Sequence, residues 1–270
     1  NIQCEMVIIK TDGDWRPEQG EIRLSEAAGG KGLFVSKIEE HLAAGDIDIA
    51  VHALKDVPTF LPDGFVVDCV LKRDDPRDAF ISLTARSMDE LPEGATIGTV
   101  SLRRQALILN RRPDIVVQPL RGNADTRMEK LRQGQVDAII LAYGGLQRLN
   151  LAQCASTVMS PEAMLPAAGQ GAIAIETRVE DQDIRQVVAA LHDPVSGFCC
   201  FAERAVLEVL DGSCRTPIGA FGEYNPETKQ MRLRGLVASA DGVKIYRGEE
   251  TALMGNDSDA IALGHRVGRI

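Results

Sequence analysis

The stretch TIGTVSLRRQALILN (96–110) decides the fold class, because it joins a strand to a helix at a single serine. Thr96–Val100 is short and rich in apolar and β-branched residues, which is typical of a buried strand. Ser101 is a favoured helix N-cap residue, and Leu102–Asn110 follows it with helical periodicity. A strand that leads directly into a capped helix is the repeating unit of an α/β protein.

The same alternation continues on both sides and predicts parallel sheets with covering helices. The further predicted strands are Glu5–Ile9, Ile47–Leu54, Phe65–Leu71, Ile115–Leu120, Ala138–Tyr143 and Ala172–Glu176. The further predicted helices are Val35–Ala44, Ala124–Gln133 and Asp181–Leu191. After Pro194 the pattern changes to a helix (Ser196–Leu210), a loop (211–217) and alternating strands such as Met231–Val237. This change predicts a separate small α+β domain.

The composition is that of a soluble globular protein with two or three domains: 270 residues, 44% hydrophobic and 26% charged. The formal net charge of −9 argues against a general nucleic-acid or anionic-membrane binder. The apolar runs are too short to cross a bilayer, and no secretory leader opens the chain. The 6 cysteines form no CxxC pair and have no metal-ligand spacing with the histidines. We therefore expect a reducing compartment.

Polar and cationic residues follow successive predicted strands at the point where each strand ends. They are Lys55 and Asp56; Ser101, Arg103 and Arg104; Arg121, Asn123 and Arg127; and Arg148. Ligands of open α/β sheets bind beyond the carboxyl ends of the strands, and arginine suits carboxylate or phosphate. Ser101 and Asn123 are also N-cap residues, so helix N-termini add N–H donors there. The pattern predicts a site for a small polyanion, although each arginine taken singly could be a surface or ion-paired residue.

Two further residues have the chemistry of a reaction centre. Asp56, beside Lys55, can orient a cationic group or exchange a proton, and the alternative is a turn residue before Pro58. Cys214 lies in the polar loop DGSCRTP (211–217), where Arg215 favours the thiolate. The alternative for Cys214 is an exposed thiol without a role.

A glycine-rich segment, EAAGGKGLF (26–34), precedes the predicted helix at Val35. The order of residues is not that of a P-loop, so we interpret the segment as a mobile loop. Lys31 in this loop can reach an anion.

Six motifs together resemble the signatures of the hydroxymethylbilane synthase (porphobilinogen deaminase) family. They are VHALKDVP (51–58), DDPRDAF (74–80), GTVSLRRQ (98–105), LRGNADTR (120–127), AAGQGA (167–172) and DGSCRTPIG (211–219). They occur in the family's order, with family-like spacing, over nearly the whole chain.

The resemblance implies an α/β protein with two periplasmic-binding-protein-like α/β domains around a cleft and a small α+β C-terminal domain. The expected boundaries are 1–72 plus 172–192, 76–166 and 194–270. It also implies a transferase of porphyrin and heme biosynthesis that joins four porphobilinogen molecules head to tail, with loss of ammonia. The chain grows on a dipyrromethane cofactor attached through Cys214, and hydrolysis releases the linear tetrapyrrole. We expect a cytoplasmic monomer without metal, nucleic-acid or membrane partners.

The resemblance also implies roles for individual residues. Asp56 matches the catalytic carboxylate, which holds pyrrole N–H groups and supports ammonia loss through an azafulvene-like cation. The positions matching cofactor-binding residues are Cys214, Lys55, Ser101, Arg103, Arg104, Arg121 and Asn123. The positions matching substrate-binding residues are Arg127, Arg148, Lys31 and Phe34, the last two in the loop over the cleft.

The sequence departs from the family pattern at several positions. Ala53 and Val100 stand where many members have serine, and Ser213 replaces the usual glycine before the cysteine. We expect the family's N-terminal Arg-x-Ser-x-Leu-Ala segment to lie before Asn1, and the last helix to be cut short at Ile270.

Two other functions fit parts of the pattern. A non-enzymatic anion-binding protein of the same two-domain architecture would use the arginines but would need neither Asp56 nor Cys214. A cysteine-dependent hydrolase or acyltransferase would need a histidine base for Cys214, and none lies near it in sequence.

Overall fold

The computed structural model describes residues 3–11, 21, 35–210, 212 and 216–270. The described strands form three separate sheets, and helices pack against each of them. This confirms the predicted mixed α/β class. Within these ranges no helix is both long and apolar enough to cross a bilayer.

The first sheet is antiparallel and has the strand order β1-β8-β2. Its elements are β1 (Ala50–Ala53), β2 (Phe65–Val70) and β8 (Ile173–Arg178), with helices α1 (Ser36–Ala44) and α5 (Gln182–Ala189). The predicted strand Glu5–Ile9 is wrong, because residues 3–11 have no strand. Met6 and Ile8 are 84% and 80% exposed, so the apolar side chains of this run are not buried against any described part of the protein.

The second sheet has the order β5-β4-β6-β3-β7. Its strands are β3 (Asp78–Ser82), β4 (Thr96–Gly98), β5 (Val116–Gln118), β6 (Ala138–Ala142) and β7 (Thr157–Val158). Its helices are α2 (Leu102–Arg111), α3 (Ala124–Arg132) and α4 (Tyr143–Arg148). Strands β4, β5 and β6 are parallel, so their carboxyl ends meet at one edge. Buried Phe80, Ile97 and Ile140 fill one face of the sheet.

The prediction of parallel sheets is therefore correct only for β4, β5 and β6, and it is wrong for the first sheet. The reason is the path of the chain, which leaves the first sheet after β2 and returns to it at β8. Strands β3 and β8 are thus reached by connections between sheets. The strand–helix–strand crossovers that make neighbouring strands parallel are absent at these two points.

The third sheet is an antiparallel meander in the order β11-β10-β9. Its elements are α6 (Pro194–Val209), β9 (Ile218–Asn225), β10 (Gln230–Ala238), β11 (Ile245–Leu253) and α7 (Asp257–Arg269). Buried Val206, Met231 and Leu263 join α6, the sheet and α7 in one core. This agrees with the α+β pattern predicted after Pro194.

Glu203 of α6 joins the third sheet to the connections between the first two. Its buried carboxylate pairs with Arg73 at 2.6 Å and accepts hydrogen bonds from the backbone N–H groups of Gly169 and Gly222. Arg73 also donates to the carbonyl of Gln170 at 2.8 Å. Arg73 follows β2 and Gln170 precedes β8, so both connections are fastened to α6.

Candidate active site

Lys55 and Asp56 lie in a single 3₁₀ turn, Leu54–Asp56, immediately after β1. Leu54 is 1% exposed and its N–H donates to the carbonyl of Ala172 at 3.0 Å, which anchors the turn in the core. The side chains of Lys55 and Asp56 are accessible to solvent. Neither side chain makes a hydrogen bond or ion pair with another described residue. The turn therefore presents two ionisable side chains that are available to bind a ligand.

The N-terminus of α2 carries Arg103 and Arg104, as the sequence predicted. Ser101 caps the helix, since its side chain accepts a hydrogen bond from the N–H of Arg104. Both arginines are buried, with 4% and 6% exposure. Arg103 also donates to the carbonyl of Leu165 at 2.7 Å, and Arg104 to that of Ile140 at 2.8 Å.

Asp78, at the start of β3, neutralises part of this charge. Its carboxylate pairs with Arg103 at 2.8 Å and with Arg104 at 2.7 Å. Gln170 donates to the same carboxylate at 2.9 Å and to the carbonyl of Pro76. Burial alone would raise the pKa of Asp78, but the two guanidinium groups outweigh it and hold the pKa well below its ordinary value. Asp78 is therefore a fixed anion.

The turn between β5 and α3 presents Arg121 and Arg127. Gly122 has φ +109°, which favours glycine, and a Cβ there would lie 2.7 Å from Thr126. Asn123 caps α3 by accepting a hydrogen bond from the N–H of Thr126 at 2.8 Å. Arg127 folds back onto the carbonyl of Gly122 at 2.7 Å. Burial, with the charge of Arg104, lowers the pKa of Arg127 to about 10.

Glu21 and Lys130 complete this turn, and the sequence analysis assigned neither of them. The carboxylate of Glu21 contacts the N–H of Arg121 and the ammonium of Lys130. Lys130 also donates to the carbonyl of Arg121 at 3.0 Å. The position of Arg121, itself 6% exposed, is thus fixed by its backbone.

The charged side chains of the turn after β1, of the N-terminus of α2 and of the turn before α3 interact electrostatically. Lys55 interacts with Asp56, Asp78 and Arg104, and Arg127 interacts with Asp56 and Arg104. Desolvation by the surrounding protein raises the pKa of Asp56, although Lys55, His52 and Arg127 oppose the rise. Desolvation likewise lowers the pKa of Lys55. Both shifts favour neutral forms and make these groups better suited to proton transfer than ordinary side chains.

Six of the predicted site residues are therefore brought together, namely Lys55, Asp56, Arg103, Arg104, Arg121 and Arg127. Ser101 and Asn123 are adjacent as helix caps. Arg148 differs, because it pairs with Asp74 at 2.6 Å and donates to the carbonyl of Gly171. Lys31, Phe34, Ser213 and Cys214 lie outside the described residues.

The other cysteines differ in their surroundings. Cys199 and Cys200 are buried in α6, and burial raises the pKa of each thiol to about 12. Burial also raises the pKa of Cys69, while Cys4 is exposed. The three buried thiols are poor nucleophiles at neutral pH. No cluster of three or more potential metal ligands occurs in the described part of the chain.

Sequence reasoning missed Asp78 and Gln170, although both stand inside quoted motifs. The available signal was the composition of β3 (Asp78–Ser82), in which an aspartate directly precedes the apolar residues Ala79, Phe80 and Ile81. A charged residue at the start of a buried strand requires a partner of opposite charge. Nothing in the local sequence indicates which arginine supplies it.

Comparison with known proteins gives a consistent result along the chain. Residues 1–186 match the family model "Porphobilinogen deaminase, dipyromethane cofactor binding domain", and residues 197–269 match "Porphobilinogen deaminase, C-terminal domain". The chain is 51% identical to the porphobilinogen deaminase of Nitrobacter winogradskyi over 87% of this chain and 73% of that protein. It is 49% identical to the porphobilinogen deaminase of Ralstonia nicotianae over 88% of this chain and 71% of that protein.

A plant relative is similar over a comparable length. The chloroplastic porphobilinogen deaminase of rice is 46% identical over 92% of this chain and 68% of that protein. Among solved structures, a putative methionine-binding lipoprotein of Bacillus subtilis superposes with a TM-score of 0.41 at 16% identity. That superposition covers 60% of this chain and 77% of the lipoprotein.

Proposed function

The chain belongs to the porphobilinogen deaminase family, and on that premise we propose that Asp56 is its catalytic carboxylate and that Cys214 carries its cofactor. The observation that carries the assignment of Asp56 is its surroundings. It is an accessible carboxylate with a raised pKa, placed near Lys55, His52 and Arg127.

The activity of the chain is that of hydroxymethylbilane synthase, a transferase of porphyrin and heme biosynthesis. It joins four porphobilinogen molecules head to tail with loss of ammonia, and hydrolysis frees the linear tetrapyrrole. The cofactor is dipyrromethane. When bound, it supplies the pyrrole end to which the first substrate molecule is joined. A purely anion-binding function is not favoured.

The described residues fit an anionic pyrrole cofactor. Pyrrole units with acetate and propionate side chains are polyanions, and the cations of the site outnumber its carboxylates. The cations are Lys55, Arg103, Arg104, Arg121, Arg127 and Lys130, and the carboxylates are Asp56, Asp78 and Glu21. Two arginines share the single carboxylate of Asp78, which leaves one net positive charge at α2. The buried Nε of Arg103 has no hydrogen-bond partner among the described residues.

In the proposed mechanism the cations bind and orient carboxylates, while Asp56 acts on the reacting atoms. Lys55, Arg103, Arg104, Arg121 and Arg127 hold the acetate and propionate groups, with the caps Ser101 and Asn123 directing helix N-termini toward them. Arg148, which is paired with Asp74, is proposed to bind a further carboxylate of the substrate. Lys31 and Phe34 are proposed to cover the site.

Asp56 supplies the negative charge that none of these groups has. As the aminomethyl carbon of porphobilinogen loses ammonia, positive charge develops on its pyrrole, and a fixed carboxylate lowers the energy of that charge. The new carbon–carbon bond then forms and the pyrrole carbon loses a proton. The raised pKa makes Asp56 a better acceptor for this proton than an ordinary aspartate.

We propose that the chain forms three domains, with the boundaries given above, and acts as a cytoplasmic monomer without nucleic-acid or membrane partners. Three separate sheets and the burial of α6 against the third of them support the division. The acidic net charge of −9 supports the absence of nucleic-acid binding.

Intact mass spectrometry of the native protein tests the cofactor assignment. We expect a mass above that of the sequence by two porphobilinogen units less two ammonias. Cys214→Ala should remove this excess, whereas Cys154→Ala, at a half-buried thiol, should retain it. An active preparation in which Cys214 is unmodified would refute the assignment.

A further inference from the structure

The segment after Asp56 is fastened to the third sheet's helix by one side chain. Arg204 of α6 donates to three successive carbonyls, those of Val57 at 3.3 Å, Pro58 at 2.8 Å and Thr59 at 3.2 Å. These residues directly follow the turn that carries Lys55 and Asp56. The position of the carboxylate in the first sheet therefore depends on a residue of α6.

The same segment also holds the start of the loop that contains the cysteine. The hydroxyl of Thr59 donates to the carbonyl of Gly212 at 2.7 Å. Gly212 is buried, and its own N–H donates to the carbonyl of Leu207 at 2.8 Å. A Cβ at Gly212 would lie 2.7 Å from the Cδ1 of Ile218, so packing fixes this glycine as well. Cys214 follows Gly212 by two residues in the sequence.

Packing and polar contacts together set the geometry of this junction, because Leu54 and Val57 share one buried apolar cluster with Cys200 of α6. A pocket of about 320 Å³ that opens to solvent lies beside this cluster, between β2 and α6, and Thr59, Phe60 and Arg204 are among its lining residues. The hydrogen bonds of Arg204 and Thr59 are directional, so they add a fixed orientation that apolar contacts alone do not supply.

We propose that Thr59 and Arg204 are positioning residues, which hold the turn of Asp56 and the start of the cysteine loop at a fixed separation. The inference rests on the proposed roles of Asp56 and Cys214. It adds that these roles require a physical link between the two segments, made by side chains that touch neither substrate nor cofactor.

The expected consequence is a loss in the chemical step and not in binding. A displacement of about 1 Å from a productive geometry can cost about 100-fold in rate, so a partial loosening should cost roughly 10-fold. Four of the five cations proposed to bind carboxylates lie on α2, on α3 or in the turn before α3, outside the junction, and only Lys55 shares the turn of Asp56. KM should therefore change less than about twofold while kcat falls.

The hydroxyl of Thr59 is tested with three variants of the full holoenzyme. Thr59→Val removes the donor and keeps the shape, and Thr59→Ser keeps the donor. Thr157→Val is the control, because the Thr157 hydroxyl also donates to a backbone carbonyl, that of Ser156, in the second sheet. We expect a roughly 10-fold lower kcat for Thr59→Val only. Hydrogen exchange in peptides covering 57–64 and 207–212 should also increase in this variant alone.

Cofactor content, from intact mass, and Tm are recorded for each variant, so that loss of folding or loading is separated from loss of rate. Equal kcat values for Thr59→Val and Thr157→Val would overturn the proposal. A Thr59→Ser variant as slow as Thr59→Val would also overturn it, because the hydroxyl would then not be the cause.

Arg204→Lys provides an independent test with Arg178→Lys as its control. Arg178 likewise donates to two backbone carbonyls, those of Leu42 and Ile47, but its ion pairs are with Asp48 and Asp181 and it contacts neither 57–59 nor α6 through a hydrogen bond. Both variants should lower Tm, and only Arg204→Lys should lower kcat and increase exchange at 57–64. An unchanged kcat in Arg204→Lys would remove Arg204 from the proposal.

Asp56→Asn, measured in parallel, separates this inference from the proposed function. A wild-type rate in Asp56→Asn would refute the catalytic assignment, whatever Thr59 does. A slow Asp56→Asn together with a fast Thr59→Val would refute the positioning role alone.

Discussion

Asp56 and Asp78 are carboxylates of one site and both interact with Lys55, yet their surroundings shift their pKa values in opposite directions. Asp78 is completely buried, pairs with Arg103 and Arg104, and has a pKa far below its ordinary value. The side chain of Asp56 reaches solvent and is not hydrogen-bonded to any described residue, but protein atoms surround it closely enough for desolvation to raise its pKa. Lys55 interacts with both of them.

The difference separates a charge that maintains structure from a charge that is available for chemistry. Hydrogen bonds to the ionised form of Asp78 make its protonation costly and fix the two arginines in place. Asp56 has no such donors among the described residues, so its charge is free to respond to a positive charge on the substrate. Two neighbouring titratable groups with opposite shifts are the usual sign of divided roles in an active site.

Asp78→Asn should have the largest effect, because it leaves two buried guanidinium groups opposite a neutral amide. Loss of one partner of a buried ion pair costs about 3–5 kcal/mol of stability. Chemical denaturation should detect this loss as a lower midpoint. Glu249→Gln, which breaks the exposed pair with Arg232, should cost less than about 1 kcal/mol.

The pH dependence of the same variant checks the cause. The pKa of Asp78 is depressed in the folded state, so its contribution is present above the unfolded pKa of about 3.9. The difference between wild type and Asp78→Asn should therefore narrow as pH falls below about 4. A difference that does not change with pH would mean that shape, and not charge, is what Asp78 supplies.

Asp56→Asn should have the next largest effect, and it should act on rate rather than on stability. Removing one positioned charge-stabilising group slows the chemical step at least ~100-fold, about 2.7 kcal/mol. The measurement is single-turnover condensation by a variant that intact mass shows to carry the cofactor. Asp63→Asn, at an exposed turn of the same sheet, is the control. A rate within a few-fold of wild type would make Asp56 a turn residue.

Arg127→Leu should have an intermediate effect and should act on binding. Arg127 lies among Asp56, Arg104 and Arg121, and one charged hydrogen bond is worth about 1.5–3 kcal/mol. KM should rise about 10-fold or more. Arg148→Leu should raise KM by less than about threefold, because Arg148 is exposed and already paired with Asp74. Equal increases in KM for the two variants would show that the position of Arg127 beside Arg104 and Arg121 does not strengthen substrate binding.

Lys55→Met should have the smallest effect on kcat itself, a shift of the acid limb of the kcat profile. Activity requires ionised Asp56, so it is lost as pH falls through a pKa that already lies above the ordinary value. Lys55 opposes that rise, and its removal should move the limb to higher pH by less than about one unit. Lys244→Met, in an exposed turn, should leave the limb in place. A shift to lower pH would contradict the electrostatic role of Lys55.

Local sequence signals were sufficient to predict where several helices begin. Ser101 and Asn123 cap α2 and α3 as predicted, since an N-cap interaction involves residues only three apart. The capping box of Asn256 and Asp259 at α7 is a signal of the same kind, and it was overlooked. The short strand β7 has only two residues and gives too little pattern to be recognised.

The sequence by itself determined the α/β class, the family, the reaction and the strand ends at which the cations lie. These depend on residue type and on short-range spacing, which motifs and helix caps record directly. Only the tertiary structure decided that Arg103 and Arg104 share the carboxylate of Asp78. Asp78 begins β3, and β3 joins the second sheet by pairing with β6, which no local sequence signal indicates. It also decided that Arg204 and Thr59 link the turn of Asp56 to Gly212, across more than 140 residues of sequence. Burial and long-range pairing assign each charge to structure or to chemistry, and neither is a property of the local sequence.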